Sequence, residues 1–187
     1  WRHVIGRPIE QDEPLMGVGR DSKVPLTDID IPDVRLSPDG KTLIAEVRHG
    51  DLTDISVYVA PVTAGFKPPF AWRRVIDISH DVVSFAVHQN FLYVLTHKDA
   101  PNYKLLRLSL PVPDMRQAVT IVPHGDTVLK QIAVAQDALY IRELFGGVDR
   151  LQRLNFGESD RSGGKLEYVR LPFDLAIRQL IASPSRP

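Results

Sequence analysis

Short runs of apolar residues alternate with polar ones along this chain, separated by turn residues, and the runs repeat. Leu43-Ile44-Ala45-Glu46-Val47, Leu92-Tyr93-Val94-Leu95-Thr96 and Leu139-Tyr140-Ile141-Arg142-Glu143 align with their leading leucines 49 and 47 residues apart. Leu105-Leu106-Arg107-Leu108 and Leu151-Gln152-Arg153-Leu154 repeat 46 residues apart. Alternation of period two predicts strands with one buried face.

Around each aligned leucine the pattern predicts four strands. The first group is Val34–Ser37, Thr42–Arg48, Ile55–Val59 and Trp72–Ile78. The second is Val82–His88, Phe91–Thr96, Tyr103–Leu110 and Ala118–Val122. The third is Leu129–Ala135, Leu139–Phe145, Arg150–Phe156 and Leu166–Leu171. Ser37-Pro38-Asp39-Gly40 predicts a tight turn, because Pro presets φ and Gly supplies a positive one. No helix is predicted beyond one turn over Asp114–Val119. Four-stranded units at this period predict an all-β fold, a partial β-propeller of about three antiparallel blades with incomplete flanks.

The expected divisions are 1–30 (the end of a preceding blade and a connection), 31–80, 81–126 and 127–174 as blades, and 175–187 as the start of another. Arg2–Ile5, Pro14–Val18 and Leu175–Ala182 are the strands expected in the flanks. Polar Gly157–Gly164 is expected to be disordered. The chain opens at Trp1, in a strand-like stretch and without Met, so it reads as a piece of a longer polypeptide. Three blades do not close a ring, so self-association of the isolated piece is expected through its open faces.

The charge balance is even, with 23 basic and 23 acidic residues, which argues against a nucleic-acid or anionic-membrane partner. With no cysteine, thiol catalysis and thiolate metal sites are excluded. No apolar run approaches the length of a membrane span.

Candidate chemistry within the chain is sparse. No Gly-x-Ser-x-Gly elbow is present; Gly157-Glu158-Ser159-Asp160 lacks the second glycine, so Ser159 reads as a loop serine. None of the six histidines forms a metal-ligand pair, and His49, His97 and His124 read as solvated residues at strand ends. Asp28, Asp30 and Asp33 alternate with apolar residues and read as a solvated or Arg-paired edge rather than a calcium loop. Asp33, Glu46 and Glu143 are acids that a channel hydrolase would use, but nothing selects a pair. Gly146-Gly147 and Gly163-Gly164 read as turns, and Trp1, Trp72, Tyr93 and Tyr140 as packing residues in strands. No catalytic residue, cofactor or metal is therefore assigned.

Three segments, in order, carry a family resemblance. They are His3-Val4-Ile5-Gly6 with Gln11-Asp12 and Leu15, then Leu36-Ser37-Pro38-Asp39-Gly40-Lys41 with Arg48-His49-Gly50, then Ala100-Pro101-Asn102-Tyr103-Lys104. Together they resemble the N-terminal propeller of prolyl oligopeptidase family serine peptidases. The resemblance implies a parent in which the propeller caps an α/β-hydrolase domain carrying a Ser-Asp-His triad. The propeller would admit short peptides, which the triad cleaves after proline. It further implies that the loops joining second and third strands turn toward the catalytic domain. Arg48, Asp51, Asp54, His97, Lys98, Asp99 and Asn102 would then contact that domain or entering peptide. The expected role is a non-catalytic gate, inactive alone; the alternative is a free-standing propeller that binds peptide or protein.

Overall fold

The computed structural model describes residues 1–21, 23–62, 66, 68–110, 112–156, 165–173 and 175–182. Expectations for Gly157–Gly164, including Ser159 and Gly163-Gly164, lie outside the described residues, as do Lys67 and Ser183-Pro184. The chain divides into two compact units, Trp1–Ser79 and His80–Pro187.

The first unit holds one antiparallel sheet of four strands in chain order: β1 (Asp30–Leu36), β2 (Thr42–His49), β3 (Ile55–Pro61) and β4 (Arg73–Ile76). The predicted turn sets the β1–β2 register. Gly40 has φ +70°, and Ser37 accepts through its carbonyl from Gly40 N–H at 2.8 Å. The Ser37 hydroxyl donates to Asp39 at 2.6 Å and accepts from Thr42 N–H at 2.9 Å. One sheet face then carries Leu43, Ala45, Val47, Tyr58 and Ala60, which pack with Val24, Phe70 and Trp72 into the unit's core.

The second unit holds two such sheets. One comprises β5 (Val82–His88), β6 (Phe91–Thr96), β7 (Lys104–Ser109) and β8 (Val119–Val122). The other comprises β9 (Val128–Val134), β10 (Ala138–Phe145), β11 (Val148–Asn155) and β12 (Leu166–Tyr168). β5 lies against β9. Tyr93, Leu95 and Leu105 from one sheet and Leu129, Ile132, Val134, Leu139, Ile141 and Leu154 from the other form a shared core. The aligned leucines Leu43, Leu92 and Leu139 are all fully buried. The repeat extends to irregularities: a register shift at Val57/Tyr58 recurs at Leu105/Leu106. The expected single turn near Asp114 is a 3-10 turn at Met115–Gln117, capped by the Asp114 carboxylate accepting from Arg116 N–H.

The flanks correct the strand expectations. Arg2–Ile5 and Pro14–Val18 form no ladder; a single bridge joins Arg2 to Glu13. Pro14 has no N–H to donate, and a 3-10 turn at Ile9–Gln11 bends the chain between them. Trp1 is correspondingly outside any strand and exposed. Leu175–Ala182 is not a strand either. Its main chain is bonded mostly to side chains: Ile177 N–H to Asp149 at 2.6 Å, and Leu180 N–H and C=O to the Gln131 amide at 2.8 and 3.0 Å. A strand-like pattern makes a strand only where another main chain offers a ladder.

Candidate functional site

The seven loop residues nominated from sequence have different fates. Arg48 is not in a loop but near the end of β2, where its guanidinium donates to Glu46 at 3.0 Å; Arg35 donates to the other Glu46 oxygen at 2.8 Å. These three residues share a sheet face because Arg35 lies opposite Ile44, next in that row to Glu46 and Arg48. Asp51 is exposed in the β2–β3 loop, and Asp54 is half-buried just before β3.

In the β6–β7 loop, His97 donates its backbone N–H to Asp81 C=O at 2.9 Å and packs edge-on against Tyr103. The Lys98 ammonium sits 3.4 Å from Asp81. Asp99 is exposed, with φ +49°, a conformation Asp tolerates better than most residues. Asn102 is spent on scaffold: its amide donates to Gly125 C=O at 2.7 Å and its own C=O accepts from Leu129 N–H at 3.1 Å. The third loop, between β10 and β11, turns on Gly146 and Gly147 at φ +58° and +85°, the pair of positive angles a tight hairpin turn requires. Asp51, Lys98 and Asp99 are thus exposed charges of these loops, Lys98 lying beside Asp81.

Two polar clusters missed by the sequence reading sit at sheet ends. In the first sheet, His49 is not a solvated residue, and Asp30 is not part of a solvated edge. His49 Nδ1 lies 2.7 Å from Asp30, and Nε2 lies 2.8 Å from the Ser56 hydroxyl. The Asp30 side chain is 5% exposed. Register builds this row. Asp30 lies opposite His49 and Val47 opposite Ser56, so all three extend the apolar face of Leu43, Ala45 and Val47. Asp30 also accepts from the backbone N–H and hydroxyl of Thr27, at 2.7 and 2.9 Å. Burial alone raises its pKa, but the Thr27 and His49 contacts outweigh burial and hold the carboxyl below its ordinary value.

Ser, His and Asp in this connectivity match the roles of a hydrolytic triad. Ser56, however, is 3% exposed inside a strand, so no acyl carbon can approach its oxygen. The row closes the open end of an apolar face by satisfying its buried polar atoms on one another.

In the third sheet, Asp149 is 3% exposed and receives Arg142 on both oxygens, at 2.8 and 3.1 Å. The Arg142 hydrogen bond is the largest cause of its lowered pKa; burial opposes it, and Ile177 N–H adds to the lowering. Glu143, considered above as a channel acid, is fully buried, with one oxygen accepting from the Gln152 amide at 2.9 Å. Among the described residues, no helix is long and apolar enough to cross a membrane.

None of the curated proteins matches the chain. Solved structures do, at low identity. Prolyl oligopeptidase B from Galerina marginata is 21% identical, with a TM-score of 0.70 over 93% of this chain and 23% of its own. Oligopeptidase B from Leishmania major is 19% identical, with a TM-score of 0.65 over 92% of this chain and 24% of its own. Oligopeptidase B from Trypanosoma brucei, with covalently bound antipain, is 20% identical, with a TM-score of 0.66 over the same shares. These likenesses establish the propeller fold, and the chain spans about a quarter of the length of each. The profile of the prolyl oligopeptidase N-terminal beta-propeller domain matches residues 1–178, nearly the whole sequence. The chain therefore belongs to that family of propeller domains.

Proposed function

We propose that this chain is the non-catalytic, access-limiting propeller of a two-domain serine-type endopeptidase that cleaves short peptides after proline. The observation that carries the proposal is the family match over residues 1–178. No Gly-x-Ser-x-Gly elbow occurs in the sequence, which fits a parent whose nucleophile is carried by another domain. The partner is then an α/β-hydrolase domain of the same polypeptide, and acyl transfer occurs there.

In this role the propeller selects by size, and its loops supply polar contacts. Asp51 and Asp99 are the contacts favoured here, because Arg48, Lys98 and Asn102 are already engaged within the scaffold. Asp54 and His97 lie on the same connections and flank the presented charges.

The test is to read the natural polypeptide that carries this sequence and assay it. A Gly-x-Ser-x-Gly motif followed in order by Asp and His is expected, with cleavage of short proline peptides and sparing of folded proteins. Further blades and then a stop codon would leave a free-standing binding propeller instead.

A further inference from the structure

β11 runs from Val148 to Asn155, but β12 pairs only with Gln152–Leu154. Beside Val148–Leu151, where the β12 ladder gives way to single bonds from Val169 N–H to Leu151 C=O at 2.8 Å and from Asp149 N–H to Leu175 C=O at 3.4 Å, lies an open cavity of about 540 Å³, whose walls include Phe145, Arg150, Leu151, Tyr168, Leu171 and Phe173. Register places Phe145 opposite Val148, Arg150 opposite Glu143, and Tyr168 opposite Gln152. Phe145, Arg150 and Tyr168 therefore share one face. The Arg150 guanidinium carbon lies 4.0 Å from the Phe145 ring centroid and 5.9 Å from that of Tyr168. Phe145, Tyr168 and Phe173 are 42%, 60% and 68% exposed.

A guanidinium stacked on a ring keeps its N–H edge available for an anion. Among the described residues, Arg150 makes ring contacts only; Glu143 faces it in register, yet the two form no ion pair. The other charge on the wall, Asp149, is already neutralised by Arg142. The cavity thus offers, beside three exposed rings, one guanidinium that makes no direct ion pair among the described residues. A single guanidinium matches a carboxylate in charge and in its two-pronged geometry, whereas a phosphate dianion calls for more positive charge. The rings favour a ligand with an apolar ring close to that carboxylate. At a peptide C-terminus the two are separated by a few bonds, so both reach the site together. A cavity of this size accommodates a small-molecule ligand or a few residues.

We propose that this cavity binds the free C-terminal carboxylate of a short peptide ending in an aromatic residue, with Arg150 holding the carboxylate and Phe145, Tyr168 and Phe173 the ring. The proposal does not depend on the gating role.

The experiment titrates the 187-residue chain, by fluorescence anisotropy, with a labelled short peptide ending in Ala-Phe. Parallel titrations use its C-terminal amide and an Ala-Ala analogue. Saturable binding is expected for the acid, with about tenfold weaker binding of the amide, the effect of losing a charge-assisted hydrogen bond. Arg150→Gln should weaken the acid about as much and leave the amide unchanged. Phe173→Ala, at an exposed position outside the strands, should weaken the acid about threefold, in keeping with one lost aromatic contact, and supports the test if Arg150→Gln fails to fold. Equal binding of acid and amide, or no saturation at millimolar peptide, would overturn the proposal. So would displacement of the peptide by equimolar inorganic phosphate, or a dimer in sedimentation that Arg150→Gln dissolves, which would give this face to a second copy.

Discussion

Asp30 in the first sheet and Asp149 in the third each begin or nearly begin a strand, and their side chains are 5% and 3% exposed. Each needs its charge answered, and the answers differ. Asp30 is met by an imidazole and by Thr27, so its bonds stay within the sheet and the turn leading into it. Asp149 is met by the two-pronged Arg142, and the same carboxylate reaches Ile177, 28 residues along the chain. A guanidinium grips a carboxylate with a fixed two-pronged fork, whereas an imidazole turns a single ring nitrogen toward it. The first carboxylate staples a sheet end; the second anchors a segment that has no ladder of its own.

The comparison assumes that the apolar ground beneath the two clusters is equivalent, and the largest expected effects test that assumption. Leu43→Ala and Leu139→Ala remove aligned, fully buried leucines, and each should cost about 3 kcal/mol in urea unfolding. Costs that differ by more than about 1 kcal/mol would mean that the repeated leucines are packed unequally, and differences at the polar ends could no longer be assigned to the polar groups alone.

Asp149→Ala should cost nearly as much, about 3 kcal/mol, because it leaves Arg142 mostly buried without its partner. Its distinguishing consequence is at a distance: the Ile177 and Leu180 amides should lose hydrogen-exchange protection. Retained protection there would show that Gln131 holds the segment alone. The folded carboxyl lies below its ordinary value of 3.8, so its contribution to stability is complete above that pH and shrinks as pH falls through the folded value. Asp149→Asn should therefore flatten the fall of stability below about pH 4. Asp30 is shifted in the same direction and supplies the acid sensitivity that survives the substitution.

How much of this was legible depended on range. The leucine repeat and the Ser37–Gly40 turn are local patterns, and the structure reproduces both. Taken one at a time, Asp30 and His49 look like separate surface groups, although the signal for their pairing is present. Ser37 and Thr42 flank the predicted turn, and counting outward residue by residue from that pair brings Asp30 opposite His49. The polar ends follow from strand pairing, not from the pattern of any one strand. Leu175–Ala182 failed in the opposite sense. Its apolar pattern suits a strand, but whether it pairs is decided by side chains on β9, β10 and β11 that no local pattern encodes. The Arg150 cavity belongs to this second kind, since it exists only where β12 stops short of β11.

His49→Leu should cost less than Asp149→Ala, about 2 kcal/mol, because Asp30 keeps both Thr27 bonds when the imidazole goes. No amide beyond the first sheet should change its exchange rate. Loss of protection at Ile177 would mean the two clusters are coupled, and the contrast between a local staple and a long-range anchor would fail.

The smallest effect is the most specific. Asp30, ionised, only accepts, so His49 Nδ1 must carry a hydrogen toward it. In the neutral ring Nε2 then accepts from the Ser56 hydroxyl; in the protonated ring Nε2 donates and the same hydroxyl oxygen accepts. The serine keeps its bond in either state by rotating one hydrogen. Ser56→Ala should therefore cost about 1 kcal/mol, the net worth of one ordinary hydrogen bond. Urea unfolding of the variant and the parent checks it, with the two stabilities expected to differ by about that much. A cost near zero would mean that the Ser56 hydroxyl adds nothing to the row. The staple of the first sheet would then be the Asp30–His49 pair and the Thr27 bonds alone, a two-residue contact like the Arg142–Asp149 anchor rather than a three-residue row.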